Sequence, residues 1–366
     1  MGLATSDDSK SDDSRSNDIN RDFVALYGEL RDAGLMECRR LGYAAKGAIT
    51  LLAFGSGWVA LFALGNTWLT LLVAAGLGLM STQLVFFGHD AGHHQIGSRR
   101  LDRAVGLVAG NLLTGLSFGW WVPKHTAHHA HPNQVGHDPD IGPGAVAFTA
   151  EVAAARRGIG RLAARWQAWT FFPLLTLEGV ALQISSVRAL MARRDRSAGF
   201  EAVLLALHSI AYLAAVAWVL SPGKALAFIV VQQGVFGLYM GCAFAPNHKG
   251  MPTIDADARL SFAERQVITA RNVRGGPLVT FMLGGLDYQI EHHLFPRMPR
   301  ANLPRSQPFV RDFCARHGLA YCEADVVGSY RSGLAHLRSI GAGGADPGVP
   351  APSRPRSVAV ATGAHR

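Results

Sequence analysis

The sequence is short of charged residues and of cysteine. Charged residues make up only 17% of the 366 residues, whereas hydrophobic residues make up 49%. The four cysteines are far apart and form no C-x-x-C pair, so neither a disulfide framework nor a thiolate metal site is indicated. The first 22 residues lack a positive segment followed by an apolar core, so they are no secretory signal and predict a disordered tail.

The sequence contains four long apolar runs, at about 45–64, 68–87, 201–220 and 224–245. Each has the roughly 20 residues that a helix needs to cross a bilayer. Gly65-Asn66-Thr67 separates the first pair and Ser221-Pro222-Gly223 the second, so we expect two hairpins. The predicted fold is an all-α, polytopic membrane protein with four transmembrane helices and a cytoplasmic helical cap that carries the histidine motifs described below.

Two further apolar runs, 104–122 and 168–187, are less suited to crossing. The first is interrupted by glycines and Asn111, and the second contains Glu178, which would be costly in lipid. We expect helices that lie at the interface or pack against the bundle, with spanning as the alternative. The membrane domain is predicted over 23–340, and the Gly-, Ala- and Pro-rich residues 341–366 predict a disordered tail.

The net charge of +9 does not require a nucleic-acid partner. Lys and Arg are concentrated between 88 and 200, while the two short turns carry Lys224 alone. The positive-inside rule therefore places that segment and both termini in the cytoplasm. Together with the abundance of Ala, Gly and Arg, this predicts a multi-pass protein of a bacterial inner membrane, in contact with membrane lipid.

Histidine is abundant, and most of the 15 histidines fall in four places on one predicted membrane face. His89 and His93 share a helical face at i and i+4, and H-x-x-H-H at 125–129 repeats as Q-x-x-H-H at 289–293. His248 follows the fourth apolar run. About eight neutral imidazoles are too many for one ion and suit two, and redox-active iron is the economical choice without cysteine.

Three motifs, HDAGHH at 89–94, HTAHH at 125–129 and QIEHHLFP at 289–296, resemble the histidine boxes of the membrane fatty acid desaturase family. The likeness covers about residues 40–310 and includes the order of the boxes, the paired hairpins and Asp138-Pro139-Asp140. The glutamine that begins the third box is similar to the subgroup with front-end acyl desaturases. The resemblance implies a centre of two iron ions, O2 as co-substrate and a fatty-acyl substrate.

Carried over residue by residue, the resemblance implies metal ligands at His89, His93, His125, His128, His129, His248, His292 and His293. Candidates for orienting those ligands are Asp90, His94, Asp138, Asp140, Asn247 and Gln289. Two alternatives remain open. Helix capping or turn formation accounts equally for the aspartates, and Gln289 either binds metal or donates a hydrogen bond to a neighbouring imidazole.

The predicted function is O2-dependent insertion of a cis double bond into the acyl chain of acyl-CoA, acyl carrier protein or a glycerolipid. Electrons would come from a ferredoxin-type or haem-type carrier with an NAD(P)H reductase, because the sequence shows no His-Pro-Gly-Gly haem motif and no placed G-x-G-x-x-G. A di-iron hydroxylase or ketolase is the alternative. A metal transporter or haem-binding protein is a minor one, since it would place histidines inside the spans, where only His208 lies.

Overall fold

Four long apolar helices form the centre of the structure, a computed structural model that describes residues 6–344, with side chains from residue 15 onward. They are α2 (Arg40–Leu64), α3 (Thr70–Gly92), α9 (Arg196–Val219) and α10 (Pro222–His248). By length and composition each can cross a membrane, and each coincides with one of the predicted runs. The all-α, polytopic fold is therefore confirmed.

Both short turns lie at the same end of the bundle. The backbone N–H of Ser221 donates to Asn66 Oδ1 at 3.0 Å, and Lys224 Nζ donates to the Asn66 carbonyl oxygen at 2.6 Å. At the opposite end α3 continues through the first histidine motif, and α10 ends on His248. The hairpins thus deliver two of the histidine positions to one face, as the sequence predicts.

The helices α3 and α10 form the inner pair. They approach closely at Gly78, where an added Cβ would lie 2.7 Å from the Gln232 carbonyl oxygen, so only glycine permits this packing. The helices α2 and α9 present large apolar side chains outward, including Leu52, Ile210 and Trp218. Such a surface suits contact with lipid.

The two additional apolar runs each form a bent pair of helices packed against the bundle. One consists of α4 (Arg99–Gly106), a π-helical continuation (Leu107–Thr114) and α5 (Phe118–Ala130), with a bend of 113°. The other consists of α7 (Ile159–Leu175) and α8 (Glu178–Ala192), with a bend of 84°. Neither forms a straight span, although by length and composition each pair would suffice for a broken one. Glu178 begins α8 at the bend.

The remaining elements form a helical cap at the histidine end. They are α1 (Ser6–Asp32), α6 (Ala150–Ala154), α11 (Phe262–Ile268), α12 (Gly276–Met282), α13 (Gln289–Leu294), α14 (Leu303–Arg316), α15 (Val326–Gly341) and the 3-10 turns Leu286–Tyr288 and Arg300–Asn302. Two short strands, β1 (Asn272–Arg274) and β2 (Glu323–Asp325), pair in parallel. The cap brings the third histidine motif, on α13, under the ends of α3 and α10.

The helix α1 corrects the prediction of a disordered tail for residues 6–22, while residues 1–5 lie outside the described part of the chain. It begins at Ser6, and Ile19, Leu26 and Leu30 are buried in one apolar cluster with Val310 and Phe313 of α14. An apolar stripe along an otherwise polar segment explains this, because it has a partner only in the folded cap. The predicted C-terminal tail lies outside the described residues from 345 onward.

The arrangement of the turns gives a testable topology. Thr67→Cys and Ser221→Cys, both exposed at the turn end, should react with a membrane-impermeant maleimide in intact cells, because the positive-inside rule predicts that the basic end faces the cytoplasm. His137→Cys and the native Cys38, exposed at the other end, should react only after permeabilisation. Labelling of His137→Cys in intact cells would contradict this orientation.

Candidate metal centre

The first histidine motif lies on the last turn of α3. His89 and His93 face the same way, and their ring centroids are 4.7 Å apart. His94 follows the end of the helix with a φ of 58° and turns towards Asp102, 3.6 Å from its Nδ1. Among the described residues, His94 thus contacts the buried carboxylate of Asp102 and none of the clustered imidazoles, which does not favour the predicted orienting role.

The second motif lies on α5, which begins where Ser117 Oγ accepts from the Trp120 N–H. Its histidines reach across to α3: His125 Nε2 lies 3.0 Å from His93 Nε2 and 3.1 Å from His129 Nε2. Trp121 stacks on the His125 ring at 4.4 Å. The stacked indole limits the orientation of this imidazole and covers it with apolar surface.

The third motif lies on α13, a single helical turn and a half whose side chains are all buried. His293 Nε2 lies 3.0 Å from His248 Nε2 at the end of α10. The His293 ring stacks on His129 at 4.1 Å, which joins the third motif to the second. A short helix inside the cap thus meets all the other histidine-bearing elements.

The eight predicted ligands are all brought together, and they divide into two adjacent groups. Within each group one nitrogen of every imidazole lies within 4.8 Å of the others: His89, His93, His125, His129 and His292 in the first group, and His128, His248 and His293 in the second. Two neighbouring groups of imidazole nitrogens are what two metal ions require.

The imidazole nitrogens of the two groups are better placed to bind a metal than to hydrogen-bond with one another. Among the described residues, the buried Nε2 atoms of His89 and His292 have no hydrogen-bond partner, an arrangement that costs free energy unless something binds there. Burial lowers, well below 6.5, the pKa of His93, His125, His129, His292 and His293. These imidazoles are therefore neutral at pH 7 and offer the lone pairs that a metal binds.

Hydrogen bonds at Nδ1 fix the orientation of several of the imidazole rings. The Nδ1–H of His128 donates to Asp138 at 3.0 Å, that of His248 to the Thr269 carbonyl oxygen at 3.0 Å, and that of His293 to Gln266 Oε1 at 2.9 Å. A hydrogen bond at Nδ1 fixes the tautomer and leaves Nε2 free to bind metal.

The three predicted aspartates are all placed beside the histidines. Asp138 contacts His128 and accepts from the Asp140 N–H, while Asp140 pairs with Lys124. Burial acts to raise the pKa of Asp138, but its hydrogen bond and electrostatic contact with His128, together with the nearby Lys249, outweigh this and lower the pKa. Asp90 Oδ1 lies 3.4 Å from His89 Nδ1.

Gln289 and Asn247 lie beside the second group. Asn247 Nδ2 donates to the Leu286 carbonyl oxygen at 2.9 Å and to Gln289 Oε1 at 3.1 Å. The amide nitrogen of Gln289 therefore faces His248 Nε2, at 2.9 Å. The contact agrees with the hydrogen-bonding alternative for Gln289, and an ion bound at His248 Nε2 would take the place of this contact.

Three residues with contacts to the site were absent from the sequence-based prediction. Gln266 and Thr269, on and after α11, support His293 and His248, and Arg300 forms a 2.7 Å ion pair with Asp90. None lies in a repeated or histidine-rich pattern. Only the nearness of Arg300 to the third motif offered any signal.

A cavity of 380 Å³ opens onto the histidines. His89, His125, His128 and His248 line one side, and apolar residues of α3, α8 and α10 line its inner end. Lys124 and Lys249 lie at the cap side. The cavity therefore combines a polar entrance, a wall of histidines and an apolar inner end between the long helices.

His208, the histidine inside a span, lies apart from both groups. Its Nδ1 is 3.0 Å from the Leu112 carbonyl oxygen on the π-helical segment, an interhelical hydrogen bond. It therefore stabilises the bundle and forms no line of histidines through the membrane.

Comparison with known proteins identifies the family. The profile described as fatty acid desaturase matches residues 66–324. An acyl-lipid (9-3)-desaturase of Borago officinalis is 30% identical over 72% of this chain and 62% of its own length. A delta(5) fatty acid desaturase of Caenorhabditis elegans is 30% identical over 89% of this chain and 75% of its own length. A delta(8)-fatty-acid desaturase of Euglena gracilis is 31% identical over 83% of this chain and 75% of its own length. The chain belongs to the fatty acid desaturase family.

Proposed function

We propose that this protein is an O2-dependent desaturase that introduces a cis double bond into a fatty-acyl chain at a centre of two iron ions. The observation that carries this proposal is the pair of imidazole groups at the wall of an apolar cavity between membrane helices. The names of the relatives, which include delta(5), delta(6) and delta(8) desaturases, support double-bond formation over hydroxylation.

The atoms and electrons of the proposed reaction balance if two electrons come from an external donor. One O2 accepts two hydrogens from adjacent methylenes, together with two electrons and two protons from outside, and leaves as two waters. Bound iron would supply the reductive activation of O2 that breaking an unactivated C–H bond requires. Those ions would be held by His89, His93, His125, His129 and His292 in the first group and by His128, His248 and His293 in the second.

The protein itself would position the imidazoles and keep water away from the reacting carbons. Asp138, Gln266 and Thr269 fix the imidazoles, so little reorganisation is needed during reaction. Trp121 and Phe244 line the cavity beside His89 and exclude water from the reacting carbons.

The polar entrance suits an acyl chain with an anionic head. Lys249 Nζ lies 3.9 Å from the Phe148 ring centroid and 3.2 Å from the Asp140 carbonyl oxygen, and Lys124 pairs with the Asp140 side chain. We propose that these ammonium groups contact the phosphate or carbonyl end of acyl-CoA, acyl carrier protein or a glycerolipid. The hydrocarbon tail then enters the membrane-embedded part of the cavity.

The two alternative functions differ from desaturation in what they would do to the acyl chain. A di-iron hydroxylase or ketolase would leave oxygen on the chain, and a metal transporter or haem protein would leave it unchanged. We expect fatty-acid analysis of a bacterial host that expresses the protein to show a new double bond, with a His128→Ala variant as the matched control. A hydroxylated or oxidised fatty acid in its place would favour the hydroxylase or ketolase.

The same reaction should depend on a separate electron carrier. Purified protein with O2, acyl substrate and NAD(P)H should turn over repeatedly only after a ferredoxin-type or haem-type carrier and its reductase are added. The basic end of the molecule would attract an acidic carrier, so the rate should fall as salt rises. Multiple turnovers without any carrier would contradict the need for a separate carrier. A rate that does not depend on salt would contradict only the electrostatic attraction of the carrier.

A further inference from the structure

The inner end of the active-site cavity is closed by apolar side chains from four different elements. Val85 of α3, Leu116, Leu182 of α8 and Met240 of α10 line it. These residues pack with Phe236 of α10 in one apolar cluster. The reacting chain therefore meets this cluster after it has passed the histidines.

A second, much smaller cavity lies directly beyond the cluster. Its 10 Å³ is about the space of one water, and the same elements line it further into the membrane, at Ser81, Thr114, Gln183 and Phe236. On α3 and α10 the step from the first cavity to the second is one helical turn, from Val85 to Ser81 and from Met240 to Phe236. The second cavity is thus a continuation of the first towards the turn end.

The side chain of Phe236 stands between the two cavities. It is only 1% exposed, packs against Val85, Leu116 and Met240 at the inner end of the first cavity, and lines the second. The backbone of α8 holds it from the side, because a Cβ added at Gly179 would lie 2.7 Å from its ring. A ring fixed in this way has little room to move aside.

The space beyond Phe236 is closed by polar groups bonded to one another. Tyr212 OH donates to Gln232 Oε1 at 3.3 Å, and Gln232 Nε2 donates to Ser81 Oγ at 3.4 Å. These bonds tie α9, α10 and α3 together behind the ring. An acyl terminus would therefore gain space from the volume that the phenyl ring occupies.

We infer that Phe236 sets the length of acyl chain that this enzyme accepts, because its ring backs the apolar wall that ends the cavity beyond the reacting carbons. The inference rests on the proposed function, because it takes the 380 Å³ cavity as the acyl site. A chain that is too long would press its methyl end on this wall, and a chain that is too short would leave apolar space unfilled. In a closed apolar pocket one methylene changes kcat/KM by roughly 10- to 200-fold.

The test is a competition between acyl substrates of different length in one reaction. For Phe236→Ala we expect the ratio of long-chain to short-chain product to rise at least about tenfold over wild type. Phe236→Leu should shift the ratio in the same direction by a smaller factor. The product ratio does not depend on how much protein folds, so partial loss of stability leaves the measurement valid.

Phe228→Ala is the matched control, because Phe228 is a fully buried phenylalanine two turns away on α10 that lines neither cavity. Its product ratio should equal that of wild type. Wild-type desaturation with an unchanged ratio in both Phe236 variants would overturn this inference alone. Absence of any double bond from the wild-type protein would overturn the proposed function and this inference with it.

Discussion

Purified His128→Ala and His292→Ala proteins are expected to show no measurable desaturation and to contain less iron than wild type. The two residues belong to different imidazole groups, so each change would remove a ligand from a different one of the two proposed ions. Wild type should hold about two iron ions per chain, and each variant about one. Elemental analysis measures this effect independently of activity.

His137→Ala is the matched control for both variants. His137 follows the second motif closely but is exposed, and its ring lies tilted against His131 at 5.0 Å between centroids, outside both groups. The His137→Ala protein should have the same iron content and activity as wild type. His336 is a poorer control because it is buried, with Nε2 2.8 Å from the Phe148 carbonyl oxygen. Full activity in His128→Ala, or zinc instead of iron in active wild type, would refute the di-iron proposal.

Asp138→Asn is expected to lower iron affinity or activity by about 10- to 100-fold, the usual cost of losing a partner behind a metal-binding histidine. Both carboxylate oxygens lie 3.0 Å from His128 Nδ1, and the side chain is buried. An amide presents an N–H on one side and a weaker acceptor on the other, so the His128 ring loses its fixed tautomer. Titration of bound iron with a chelator measures the affinity.

Asp102→Asn tests whether any buried aspartate at this end has the same effect. Asp102 is also fully buried, but it accepts from the Ile96 and Gly97 N–H groups and contacts none of the eight histidines. We expect it to lower the melting temperature without lowering iron affinity. Equal loss of iron affinity in both variants would mean that Asp138 acts only through general stability.

The sequence was sufficient to locate the spans and the histidines. A helix that crosses lipid needs an apolar run of a certain length, and histidines that share a helical face need a spacing of three or four residues. Both requirements are local, so Gly65-Asn66-Thr67, Ser221-Pro222-Gly223 and the repeated H-x-x-H-H pattern could be interpreted without coordinates.

The sequence alone determined that four apolar helices present clustered histidines at one end, because run length and helical periodicity are properties of neighbouring residues. Only the tertiary structure decided how eight imidazoles divide into two groups, and that Gln266, Thr269 and Arg300 support them. It also decided that Ile19 packs in the cap and that Phe236 packs behind the inner end of the cavity. These contacts join residues far apart in the chain, and their geometry is fixed by how the helices pack.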